Sequence, residues 1–394
     1  MRCLIPLLCA VLLSGCAGLD TVKETYYGIA DYFGGRDNAE PPRELEPLEP
    51  KLKLNILWDE DVGKGYDEQY VNLTAGVSEQ TVFAADREGE VQARNRLTGE
   101  KRWSVDAELS FSAGPAVGVD KIVLGTSNAE VVALSSTDGS LLWKTTLSSE
   151  ILALPSIAEG IVVVRSTDGR ITGLNERDGA TLWTYERSTP ALSVRSRGAP
   201  IIADDLVIDG HASGKLVALR LKDGKLEWEA TIAIPHGRSE IERLVDVDSV
   251  PAVKGDTLYV TGYQGGVAAV SLKDGEVLWR QEKVSSYSGL AANQRSLFLT
   301  DASSDVWQLE QRNGGDLWKQ DELHQRRLTA PAVLKDYIVV GDFEGYIHVL
   351  SQDDGSLLAR VQVDDTPIET TPVIFDEIVY VYASGGTLAA LAVE

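Results

Sequence analysis

Cysteine is almost missing from this chain of 394 residues: there are three, Cys3, Cys9 and Cys16, all at the very start. Nothing after Cys16 can form an internal disulfide, even in an oxidising compartment. Basic residues are also scarce: 37 Lys and Arg stand against 60 Asp and Glu, a formal net charge of −23. Nucleic-acid phosphates would be repelled, and adsorption to an anionic membrane by charge alone is disfavoured. Histidine is equally sparse, and His211, His236, His324 and His348 show no pair at a metal-ligand spacing. There is no Gly-x-Ser-x-Gly elbow for a nucleophile. HASGKL (211–216) holds a Gly-Lys but no Walker frame, and Leu216 stands where a magnesium-binding hydroxyl belongs. LVDVDSVP places Asp246 and Asp248 together, yet the Gly and bidentate Glu of an EF-hand loop are wanting. That pair reads as acids facing solvent or a partner, and no metal ligand is expected.

Long apolar runs are absent too. The segment from Cys3 to Leu13 follows a basic Arg2 and is too short for a stable span. It ends in Leu13-Ser14-Gly15-Cys16, which resembles the bacterial lipobox; the plainer alternative is an ordinary signal peptide with a chance cysteine. On the lipobox reading, residues 1–15 are a lipoprotein signal peptide and Cys16 carries the acyl chains. By the lipoprotein sorting rule, Ala17 in place of Asp implies the outer membrane, with anchoring through buried methylenes whatever the protein's charge. Residues 16–50, including PPRELEPLEP, are expected to form a Pro/Glu-rich tether.

What is present is a repeat. Thr98-Gly99, Asp138-Gly139, Asp178-Gly179, Asp223-Gly224, Asp274-Gly275, Asn313-Gly314 and Asp354-Gly355 are turn pairs, each preceded by an apolar run. Four residues after each glycine come Trp103, Trp143, Trp183, Trp228, Trp279 and Trp318; the seventh place holds Ala359. Short strands such as KIVLGT and YIVVGD complete each unit, so the pattern predicts radially stacked four-stranded sheets. An eighth inner run, Leu388 to Leu391, has no outer strand after it, while LNILWDE with Trp58 has no repeat before it. The expected fold is therefore all-β: an eight-bladed propeller over 51–394, with antiparallel four-stranded blades and an N-terminal strand completing the last. One Trp on each outer strand cannot converge on a single site, so these seven rings are read as packing between blades.

This repeat resembles the Trp-docking repeat of quinoprotein dehydrogenases, which hold pyrroloquinoline quinone and Ca²⁺ at the propeller axis. That resemblance implies an adjacent cysteine pair, a Glu/Asn/Asp cage and a catalytic Asp. The mature chain has no cysteine pair, and its length leaves few residues for active-site excursions. No catalytic residue is assigned and no cofactor is expected. A lipid-anchored propeller binding glycans or peptides, with Tyr263, Tyr287 and Trp307 as its aromatics, is a further alternative.

Two adjacent repeats are long: Trp183 to Trp228 spans 45 residues and Trp228 to Trp279 spans 51. Insertions in a propeller fall in loops on one rim, where function concentrates. Those at 186–200 and 234–251 should therefore lie together in space. Lipobox, tether, eight Trp-docking blades and the missing quinone site together resemble the BamB family, lipoproteins of the outer-membrane β-barrel assembly machinery. The resemblance implies a non-catalytic scaffold that binds the periplasmic POTRA modules of BamA, joins the other members of that complex and assists nascent outer-membrane proteins. It also maps the family's partner-contacting motifs onto Leu192, Val194 and Arg195, and onto Asp246 and Asp248. Val194 departs from a leucine there. Strand addition to the free edge of an outer strand is a second mode by which client chains could be held.

Overall fold

The computed structural model describes residues 40–66, 69–186, 197–234, 245–247 and 249–394. Residues 42–394 form one compact unit. Cys16, Leu192, Val194, Arg195 and Asp248 lie outside the described residues.

The repeat folds as an eight-bladed β-propeller. Seven blades follow in chain order, and the eighth joins Val373–Phe375, Ile378–Tyr382 and Thr387–Val393 to the N-terminal strand Leu54–Asp61. That closing pair is antiparallel, from Leu54 opposite Val393 to Asp61 opposite Thr387. Just beyond it, Lys53 and Glu394 exchange backbone hydrogen bonds of 3.1 and 2.9 Å.

Burial follows position within a blade. Middle strands such as Thr81–Ala85 and Lys121–Thr126 are buried at every residue, because both faces are covered by neighbouring blades. The outer strand Leu141–Thr146 alternates, exposing Leu142 and Lys144 and burying Trp143. The core is accordingly divided into clusters lying between blades; one joins Ala332, Val339 and Val349 of the seventh to Val379, Val381 and Leu391 of the eighth.

The tryptophans clip each blade to the next. Trp143 donates from Nε1 to the Glu176 carbonyl at 2.9 Å, and its ring lies over Gly179. Gly179 has a φ of +71°, and a Cβ there would overlap the indole, so both conformation and space call for glycine. Trp58, Trp103, Trp183, Trp228, Trp279 and Trp318 repeat the bond to the following blade at 2.8–3.0 Å. Ala359 is the exception because its neighbour is the closing blade. There the third and outer strands, Thr387–Val393 and Leu54–Asp61, are far apart in sequence, and no Asp-Gly turn joins them. Leu52 and Leu54 pack instead against the cluster containing Ala359.

Two features lay beyond the repeat pattern. Every outer strand carries a β-bulge at the residue before the docking position: Leu57, Arg102, Leu142, Leu182, Glu227, Leu278, Leu317 and Leu358. The extra residue twists the strand and turns the next side chain toward the neighbouring blade, while interrupting the regular edge that strand addition needs. The second blade also gains a fifth strand, Asn72–Leu73, which runs parallel to its inner strand Phe111–Val117. That blade therefore departs from the four-stranded antiparallel expectation.

The segment ahead of the first strand is hydrogen-bonded to the propeller. Arg43 donates its backbone N–H to the His324 carbonyl at 3.0 Å, and Lys51 donates to that of Leu358 at 2.7 Å. Leu45 and Leu48 pack beside Trp318 on the cluster between the sixth and seventh blades.

Candidate functional site

Connections leading from an outer strand to the next blade's inner strand gather at one end of the ring axis. Together they surround a cavity of about 530 Å³. Both lengthened connections reach it, through Arg197 from one and Asp246 from the other. The described ends of the two insertions thus meet, as their adjacency in the repeat predicts.

Arg197 is fixed from several directions. Its carbonyl accepts a hydrogen bond from Asn72 Nδ2 at 3.2 Å, and the next carbonyl, Gly198, accepts one from Arg165 Nη2 at 2.6 Å. Its guanidinium lies 4.3 Å from the centre of the Tyr70 ring and donates to Glu369 Oε2 at 2.8 Å. This residue therefore ties the third connection to the short fifth-strand segment and to the approach to the eighth blade. Beneath them Tyr66 is buried, and desolvation pushes its phenol far above its ordinary range.

Asp246 is not the solvated carboxylate that its sequence context suggests: it is 2% exposed. It pairs as a lone β-bridge with Tyr263, whose carbonyl accepts its N–H at 3.2 Å. Val247 donates to the His211 carbonyl at 3.3 Å, and Ser249 Oγ to that of Thr261 at 2.6 Å. Glycine is needed at 262 because a Cβ would overlap the Asp246 carbonyl. Short backbone contacts draw the inserted loop down onto the YQGG turn, and burial follows.

On the other side of the cavity stands a buried polar cluster. Arg326 Nε donates to Asp342 Oδ2 at 2.8 Å, and the same oxygen lies 2.9 Å from His348 Nε2. Arg326 also pairs with Glu344 and donates to the Arg43 carbonyl at 3.1 Å. Burial lowers the basicity of His348, outweighing its Asp342 neighbour, so the ring is held neutral. Burial also opposes ionisation of Asp342, but the His348 hydrogen bond, the Tyr346 N–H and the Arg326 charge hold its carboxyl below the usual range. Arg326 is thereby locked inward, and Arg327 projects outward into the cavity mouth, exposed and at a φ of +50°.

Of the aromatic candidates, Tyr263 and Tyr287 line this cavity. Trp307 does not; it sits between Lys283 and Lys319, with each Nζ 5.3 Å from its ring centre, and donates to Asp301. Arg327 and Glu369 escaped notice because their connections have ordinary lengths; Tyr70 lies in the 45-residue interval from Trp58 to Trp103, as long as the first lengthened repeat, so length was a usable signal there. Comparing the same offset after every outer strand would have found them. Among the described residues, no three His, Cys, Asp or Glu side chains gather as a metal site. What its described lining presents is aromatic wall, hydroxyls, the Arg197–Glu369 pair and the exposed Arg327.

Residues 87–320 and 304–394 match the family model described as outer membrane protein assembly factor BamB. A Pseudomonas aeruginosa protein of that name is 48% identical over 354 residues, covering 90% of this chain and 93% of its own. The Legionella pneumophila protein of that name is 44% identical over 395 residues, covering both chains fully. BamB from Moraxella catarrhalis superposes with a TM-score of 0.77 at 26% identity, over 86% of this chain and all of that one. A quinohemoprotein alcohol dehydrogenase from Comamonas testosteroni gives 0.66 at 12% identity, covering 86% of this chain and 76% of its own, a likeness of fold alone.

Proposed function

We propose, since this chain belongs to the BamB family of outer membrane protein assembly factors, that it acts as a non-catalytic scaffold anchored by lipid at Cys16 on the periplasmic face. Its partner on this reading is the periplasmic POTRA region of BamA. The observation that carries the proposal is the meeting of the two lengthened connections at one cavity rim, through Arg197 and Asp246. The ring holds the described part of that rim in place, so a partner would meet Arg197 and the Asp246–Tyr263 bridge already positioned. Leu192 and Val194 supply apolar anchoring on this reading. Arg195 supplies a forked cation and Asp248 the acidic contact, while the buried Asp246 holds its loop against Tyr263.

Binding of the full lipidated chain in micelles to the BamA periplasmic region tests this, with Leu192→Ala and Arg195→Ala beside the parent. The parent should bind, and each variant should lose at least tenfold in affinity with its melting temperature unchanged. Equal binding by all three would move the interface off this rim. If the parent fails to bind, the scaffold reading falls; quinone and Ca²⁺ titrations then become the relevant measurements.

A further inference from the structure

Among the described residues, the axial cavity contains one cation that the fold leaves uncommitted. Arg197 is engaged by Glu369 and stacked on Tyr70. Asp246 is buried. Arg327 makes no ion pair among the described residues, yet its backbone is held on both sides. Arg326 before it is fixed by Asp342, and Leu328 after it is buried and donates its N–H to Ser304 Oγ at 3.2 Å. An arginine in the left-handed region is conformationally costly and persists only where its surroundings enforce it.

Tyr287 lines the same cavity as Arg327, whose charge acts on its phenol, and it remains 52% exposed. Asp301, the other charge acting on that phenol, makes no ion pair with Arg327 among the described residues, and its oxygens are turned to other donors. Its Oδ1 accepts from the N–H groups of Ser303 and Asp305, and its Oδ2 from Trp307 Nε1. So an acid-rich protein offers, at the mouth of its cavity, a preset guanidinium beside an open aromatic face. The volume of about 530 Å³ falls within the range of small-ligand sites, roughly 300–1,000 Å³, enough for a few side chains.

The geometry points to a carboxylate-reading peptide site: Arg327 receives a carboxylate of an extended segment whose adjacent ring or apolar side chain packs on Tyr287 and Tyr263. The fork of the guanidinium suits a planar carboxylate, and tyrosine faces accept apolar or aromatic neighbours. This rests on the reading of the cavity rim as partner-facing and names what that partner inserts. An acidic side chain and a chain-terminal carboxylate are the same chemistry here.

Ligand-observed NMR on the full chain in micelles tests it with three tetrapeptide probes. These are acetyl-Ser-Tyr-Glu-Ser amide, its Gln counterpart, and acetyl-Ser-Tyr-Gln-Ser with a free C-terminus. Each variant is first checked for a parental melting temperature. At low salt, one or both acidic probes should bind at least fivefold more tightly than the neutral one; which of them does so identifies the carboxylate's source. Arg327→Gln should abolish that preference, Arg327→Lys should keep part of it, and Tyr287→Ala should weaken all probes alike. Equal binding of acidic and neutral probes overturns the inference, as does a preference that survives in Arg327→Gln. Leu192→Ala should leave the probe preference untouched, so failure here and failure of the loop contact can be told apart.

Discussion

Trp183 reaches across to the following blade and donates its indole N–H to the Leu221 carbonyl at 2.8 Å, while its ring covers Gly224. One side chain thus supplies apolar area and a buried hydrogen bond to a seam between two blades. The unit therefore tolerates little change on either side of the contact.

Trp183→Ala should destabilise the propeller by about 3–5 kcal/mol, the usual range for deleting a buried large aromatic. Gly224→Ala should cost about 1–3 kcal/mol, since Gly224 has a φ of +67° and a Cβ would strike the ring. Because the two act at one contact, the double variant should lose less than the sum of the singles. Denaturant unfolding of all three variants measures this; additive losses would show that ring and turn act independently.

Restoring the repeat at its one exception should fail. Ala359→Trp puts an indole against a blade with no turn to receive it, and Ala359 is already 2% exposed. Overpacking of this kind costs about 1–3 kcal/mol. A raised melting temperature would mean that the chain-end seam has room for a docking ring after all.

The Arg326–Asp342–His348 cluster gives stability a definite pH dependence. His348 is less basic folded than unfolded, so between the two values the unfolded chain binds more protons and stability rises with pH. Its contribution is complete above the ordinary histidine value of about 6.5 and is lost as pH falls below it. Asp342, also depressed in the fold, adds a second loss at lower pH, below the ordinary aspartate range. His348→Gln should flatten the curve between pH 6.5 and 5 by up to about 1.4 kcal/mol per unit. Parallel curves for parent and variant would remove His348 as the cause.

Cys16→Ser should shift the protein from the membrane fraction to the soluble one, and mass spectrometry should show the acyl mass only on the parent. Membrane retention of the serine variant would point to a different attachment.

The fold was legible because a propeller writes itself in repeats. Asp138-Gly139 and Trp143 state turn and outer strand, and an orphan run at 388–391 with an orphan strand around Trp58 states closure. The bulges were not legible, since Leu142 and Leu182 look like ordinary strand residues until a register with the neighbouring strand exists. Ala359 was visible as an exception, but its reason lies in a turn that a different part of the chain fails to supply. The site was half legible. Extra length flagged the regions of Arg197 and Asp246, whereas Arg327 and Glu369 come from connections of ordinary length that only the ring brings together. Sequence alone points Asp246 toward solvent or a partner, because it does not show that a glycine at 262 lets backbone close over it.

The closing strand has a consequence for timing. Leu54–Asp61 emerges early during synthesis and export, but its pairing partner Thr387–Val393 comes at the far end of the chain. Trp58 likewise bonds to the first blade from a strand that belongs to the eighth. Until the last residues arrive, the first strand has no sheet to join and the eighth blade keeps an open edge. The ring is thus sealed by a contact between strands more than 300 residues apart, which makes arrival of Thr387–Val393 the event that closes it.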